Sequence, residues 1–278
     1  MPKRSRDKQL AKLAQRRQAE RRAAKRRRDL TIGLVAGGIA LILVAVGAFI
    51  LFGGGDEQTD AASPSVSAEP GTQTGTVTPQ AVAPETVACG GKVPPKADKP
   101  KPQFAGPPPL TIDPSVTYTA TIETSCGTIE AELLAKTATD AVNSFVFLVQ
   151  QGFYDGQTFH RIAKEFVIQG GDPLGTGTGG PGYEFPVTTT EGVSFDGPGV
   201  LAYAHAQTGG NGSQFFITLA EAPNLDPPNG QYTIFGSVTK GQDVLDAIAA
   251  VPTVAGPSGE PSQPTEAVYI NSVTIAES

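Results

Sequence analysis

At 278 residues the chain is too long for one small domain and too short for three, and its 33 Gly and 24 Pro hold the hydrophobic share to 39% and point to a linker. The net charge of −6 hides an asymmetry: residues 1–29 hold 13 Lys or Arg against Asp7, Glu20 and Asp29, so this arm carries +10 and the remainder −16. His160 and His205 are the only histidines and Cys89 and Cys126 the only cysteines, too few ligands for a metal site.

The basic arm could bind nucleic acid or lie on an anionic membrane surface. The next segment of the chain decides for the membrane. Residues 30–52 form 23 uncharged positions, long enough to span a bilayer core of about 30 Å as a helix. Lys and Arg on the N-terminal flank keep that flank cytoplasmic. The expectation is a single-pass anchor in the cell membrane, with the N-terminus cytoplasmic and the rest extracytoplasmic. A cleaved signal peptide is the rival, but the apolar run is longer than such a region and Phe49-Ile50-Leu51-Phe52 makes a poor cleavage site.

Residues 53–114 are rich in Pro, Thr, Ser, Ala and Gly and poor in large apolar side chains, the composition of a disordered linker. Its role would be that of a spacer. Cys89 in this linker and Cys126 beyond it both lie on the oxidising side in this topology, where a disulfide between them would persist. The 37 positions that separate them let the chain fold back. Free thiols and a lipid-anchored Cys89 are the alternatives.

At Val116 the texture changes. Tyr118, Ala120 and Ile122 alternate with polar neighbours, Ser125-Cys126-Gly127 reads as a turn, and Thr128 to Leu134 alternates again, so a hairpin is expected. Val142, Phe145, Val146 and Val149 recur at helical spacing after Thr137 or Thr139 as the cap. Short apolar runs come next, at 158–162, 166–169, 200–204, 214–218 and 232–238. A second helix is expected over 241–250 and a last strand over 267–275. Many short strands and two helices predict a mostly β domain over 115–278: a closed eight-stranded antiparallel β-barrel capped by two α-helices.

Gly175, Gly177 and Gly180 match a dinucleotide-binding glycine spacing, but Pro181-Gly182 stands where that motif needs a helix, so the segment reads as a surface loop. The informative stretch is Phe159-His160-Arg161-Ile162-Ala163-Lys164-Glu165-Phe166-Val167-Ile168-Gln169-Gly170-Gly171-Asp172, which puts a cation, an amide and apolar bulk on one strand pair. The second is Asn211-Gly212-Ser213-Gln214-Phe215-Phe216-Ile217-Thr218, a Gly-rich turn leading into a strand with an amide and two aromatics. Together with 197–206 and 232–238, these segments resemble the cyclophilin family over about 160 residues.

The resemblance implies a peptidyl-prolyl cis/trans isomerase acting on proline-containing polypeptides, with a proline groove outside the barrel; the reaction needs no cofactor, and a monomer is the expectation. Carried over by position, Arg161 is the catalytic arginine and Gln169 the polar residue that orients it. Phe166, Val167, Phe216 and Leu225 wall the proline pocket, and Ala204, His205 and Gln214 form the edge that binds substrate backbone. Tyr232 stands where many members carry His, His205 where Asn is common, and Asn224 where many carry Trp, which implies weak cyclosporin binding. The rival reading is a module that holds proline-containing segments with little turnover.

Overall fold

The computed structural model describes residues 69–278, apart from residues 82, 207 and 228–230. The expected basic arm and the apolar span at 30–52 lie outside the described residues. Among those described, no helix is long and apolar enough to cross a membrane. The chain divides into Met1–Ser65 and Val66–Ser278, and every described residue belongs to the second unit.

The stretch expected as linker departs from that expectation wherever it is described. Gln73–Val77 (β1) pairs antiparallel with Lys101–Phe104 (β2). Ala88, Phe104 and Ile112 are buried in the main hydrophobic cluster of the domain that comes after it. Composition misled because three apolar anchors suffice when polar groups supply the remaining contacts. Val87 forms a parallel bridge with Ala267, the Phe104 amide donates to the Pro181 carbonyl at 2.8 Å, and the Lys96 ammonium pairs with the Asp155 carboxylate at 2.7 Å. Lys101 is buried, its ammonium donating to the Lys96 and Asp155 carbonyls, and burial lowers its pKa. Close approach demands glycine at two positions: a Cβ on Gly156 (φ +78°) would collide with the Lys96 carbonyl, and one on Gly182 (φ +92°) would stand 2.7 Å from that of Phe104. A disulfide joins Cys89 to Cys126, with Cα atoms 5.0 Å apart.

The main sheet opens with the hairpin of Tyr118–Thr124 (β3) and Gly127–Leu133 (β4), in register from Tyr118↔Leu133 to Thr124↔Gly127. Helix α1, Thr139–Gln150, buries Val142, Phe145, Val146, Leu148 and Val149. Neither expected threonine caps it: Ala138 is the cap, and Thr139, already helical, donates from Oγ1 to the Ala135 carbonyl at 2.8 Å. Then come Arg161–Ala163 (β5), Val167–Gly170 (β6), Val200–His205 (β7), Asn211–Thr218 (β8) and Ile234–Lys240 (β9). Helix α2, Gln242–Ala249, presents Val244, Leu245 and Ile248 to the core. A small hairpin, Thr253–Ala255 (β10) with Pro261–Pro264 (β11), precedes the last strand, Ile270–Glu277 (β12).

Eight strands join antiparallel in the order β12-β3-β4-β9-β7-β8-β6-β5. The sheet is curled but open, which corrects the closed barrel expected from the sequence. Its two end strands, β12 and β5, do not pair. β5 has only three residues, because Glu165 takes a left-handed φ of +59° and turns the chain straight back into β6. An isolated bridge between Thr158 and Tyr269 is what links the segments leading into these edges. The main cluster fills the concave side, where Phe145, Tyr154 and Phe215 pack with ring centroids 5.1–5.9 Å apart.

Candidate active site

Side chains alternate between the faces of a strand, so cross-strand partners share a face. The ladder aligns Arg161 with Gln169, Gln169 with Phe216, Phe216 with Ala202, and Ala202 with Ile234. These five residues form one row across β5, β6, β8, β7 and β9, facing away from the main cluster. Positions two residues along, Ala163, Val167, Gln214 and Ala204, lie on the same face.

A second hydrophobic cluster covers that face: Ala163, Val167, Phe195, Ala202, Ala204, Phe216, Ala222, Leu225 and Ile234, with Phe166 and Tyr232 partly buried against it. The structure therefore brings together all four expected pocket walls, Phe166, Val167, Phe216 and Leu225. Phe195 was not foreseen. It is fully buried and stacks on Phe216 at 5.8 Å, while Tyr232 meets Phe216 edge-on at 5.5 Å. Phe195 sits alone in a polar loop, where no periodicity marks it. His205 is exposed, stacks on Tyr232 at 4.5 Å, and donates from Nε2 to the Gln231 carbonyl at 2.5 Å.

The polar end of the row departs from expectation. Gln169 does not bond Arg161; its amide donates to Gln214 Oε1 at 3.0 Å, and Gln214 donates in turn to the Gly179 carbonyl at 2.9 Å. Gly179 belongs to the Gly-rich loop expected at 175–180, which also accepts from Gln103 of the extension through Gly180, at 2.8 Å. Arg161 instead donates from Nε and Nη2 to Glu260 Oε2, at 3.2 and 2.7 Å. Its Cζ lies 5.8 Å from the Phe166 ring centroid. Glu260 is 99 residues from Arg161 in a Gly/Pro/Ser-rich turn, and no sequence signal ties the two together.

Beside the apolar cluster lies a cavity of about 560 Å³, lined among others by Gln103, Gly179, Glu184, Ala204, His205 and Gln214. His160 precedes Arg161, and its Nδ1 is buried with no hydrogen-bond partner among the described residues. Burial lowers the His160 pKa below its ordinary value; the Asp172 carboxylate pulls it up and the Arg161 guanidinium pushes it down. A guanidinium fork beside a buried aromatic cluster, with two amides alongside, suits recognition of an extended chain carrying one apolar ring.

The cyclophilin type peptidyl-prolyl cis-trans isomerase model matches residues 119–275, and the chain belongs to that family of enzymes. Among its relatives, the probable peptidyl-prolyl cis-trans isomerase A of Mycobacterium leprae is 43% identical over 175 residues, 57% of this chain and 92% of that protein. Peptidyl-prolyl cis-trans isomerase A of Mycobacterium tuberculosis is 41% identical over 60% of this chain and 97% of its own length. A Cryptosporidium parvum cyclophilin type peptidyl-prolyl cis-trans isomerase, solved in the presence of the dipeptide Ala-Pro, aligns with a TM-score of 0.51 at 33% identity, over 57% of this chain and 98% of that one.

Proposed function

We propose that this protein isomerises X–Pro bonds in exported polypeptides, with Arg161 donating to the prolyl nitrogen while the proline ring rests against Phe216. The observation that carries this reading is the cross-strand row placing Arg161 next to Gln169 and Gln169 next to Phe216. The relative solved with Ala-Pro supports proline-bearing chains as substrates. The X–Pro bond resists rotation by about 18–20 kcal/mol because its C–N bond is partly double. At the twisted transition state the nitrogen regains its lone pair, and a charged donor held there favours that state over either planar isomer. One charge-assisted hydrogen bond made only in the transition state contributes roughly 1.5–3 kcal/mol, or about 10- to 150-fold in rate. Exclusion of water by Phe166, Val167, Phe216 and Leu225 supplies further stabilisation.

The proposed setting rests on sequence. The arm at 1–29 and the apolar run at 30–52 anchor the chain in the cell membrane, and the isomerase acts on the far side. A coupled assay of proline isomerisation on a short peptide tests the reaction. Arg161→Ala stays folded and loses about 10- to 150-fold in kcat/KM. Arg161→Lys recovers little, because a point charge lacks the fork. Turnover near wild type in folded Arg161→Ala overturns the assignment.

A further inference from the structure

We infer that Glu260 is the positioning residue of the isomerase site, holding the Arg161 guanidinium edge-on and leaving its remaining N–H groups to the substrate. The inference rests on the reading of Arg161 as the catalytic donor. Four rotatable bonds carry the guanidinium away from a three-residue edge strand, so an unrestrained Arg161 would spread over many rotamers. Two contacts narrow that choice. Phe166 lies under the guanidinium, 5.8 Å from centroid to Cζ. Glu260 takes the Nε and Nη2 hydrogens together through one carboxylate oxygen. Nη1, with both its hydrogens, is not engaged by Glu260.

The support beneath Glu260 is rigid enough for the task. It closes the β10–β11 hairpin, its carbonyl accepting the Gly256 amide at 2.8 Å, while the Gly259 amide donates to Gly256 at 2.9 Å. Gly259 adopts φ +80°, which suits glycine. The next two alternate positions, Ser262 and Pro264, are buried, so the hairpin is seated on the domain. The ion pair itself is half exposed, with side-chain accessibilities of 28% for Arg161 and 40% for Glu260. Pairs of that exposure add little to folding stability, so the consequence of this one is geometric.

The test is a double-mutant cycle on the full chain, read by peptide isomerisation. Glu260→Ala is expected to lower kcat about tenfold with KM within about twofold, since it broadens the donor without touching the apolar pocket. Glu260→Gln keeps an acceptor oxygen and falls between Ala and wild type. Added to Arg161→Ala, Glu260→Ala costs nothing further. A merely structural residue would instead lower activity by the same factor in both backgrounds, and that result overturns the inference. So does a Glu260→Ala enzyme with wild-type or higher kcat while Arg161→Ala is impaired, which leaves the proposed function standing. Wild-type turnover in Arg161→Ala alone removes the proposed function and this inference with it.

Discussion

The two faces of the eight-stranded sheet bury similar side chains to different ends. On β8, Phe215 points into the main cluster among Phe145 and Tyr154, while Phe216, one residue on, stacks against Phe195 in the groove. All eight positions of that strand are buried, so it lacks the inside-outside alternation of a strand with one wet face. The inner face is closed by helices and the N-terminal extension. Among the described residues, the outer face is covered by the segments that carry Phe195, Ala222 and Leu225 and has Arg161, Gln169 and Gln214 along its rim. On that rim Glu260 engages Nε and Nη2 of Arg161 but not Nη1, so in the proposed function this face takes the substrate, while its counterpart on the other side of the same backbone is a core.

The sharpest way to break this comparison is to truncate the neighbours. Phe215→Ala should destabilise by about 3–5 kcal/mol in urea unfolding, with activity per folded molecule nearly unchanged. Phe216→Ala should do the reverse, with a smaller loss of stability and at least about a tenfold fall in kcat/KM. Equal stability losses with equal activity losses would show that the faces are not separable.

Next in size is the disulfide, whose extension contributes Ala88, Phe104 and Ile112 to the inner cluster and, among its described residues, none to the outer one. Replacing Cys89 and Cys126 together by Ser should cost about 2–4 kcal/mol while kcat stays within a few-fold. Mass spectrometry of oxidised protein, with and without reductant, should register the bond as a gain of two hydrogen atoms on reduction. A smaller effect belongs to the groove alone. Asn224, exposed beside buried Leu225, offers little apolar surface, so cyclosporin should bind weakly. Asn224→Trp should tighten binding by about tenfold in a calorimetric titration and leave the unfolding midpoint unmoved.

The smallest effect is that of pH. Burial lowers the His160 pKa in the folded protein below the value of about 6.5 expected of the unfolded chain. The unfolded chain therefore takes up the proton first. Stability is full above about pH 6.5, falls as the pH drops below it, and levels off below the folded pKa. Urea midpoints between about pH 7.5 and 5.5 should decline for the wild type and decline less for His160→Gln. Parallel slopes would sink the assignment.

Much of the sheet was legible because its strands carry local signals. The Tyr118–Leu133 hairpin, the strands around Arg161 and Phe216, and both helices lie within a few residues of where periodicity puts them. The gathering of Phe166, Val167, Phe216 and Leu225 into one cluster came from the family resemblance. Long-range partnership could not be read. Gln169 and Glu260 are both polar residues within reach of an arginine, and nothing along the chain says which of them holds it. The extension was hidden for a related reason: Lys101, a charged residue, is buried against the carbonyl of Asp155, far along the chain. The open sheet escaped notice because a left-handed Glu165 cuts β5 short, a conformation a non-glycine residue rarely adopts.

The pairing of β3 with β12 also governs how the domain comes into being. Tyr118 meets Glu277 and Thr124 meets Ile270, so the first strand of the sheet finds its outer neighbour only after some 150 further residues have been made. A ribosome delivering this chain exposes the β3–β4 hairpin long before its partner strand exists. Contacts of that span fold slowly, because a long loop must close before any pairing energy returns. Until then β3 offers an unpaired strand edge to whatever lies nearby. In an isomerase proposed to act on other chains, the sheet is thus itself completed only by its last strand.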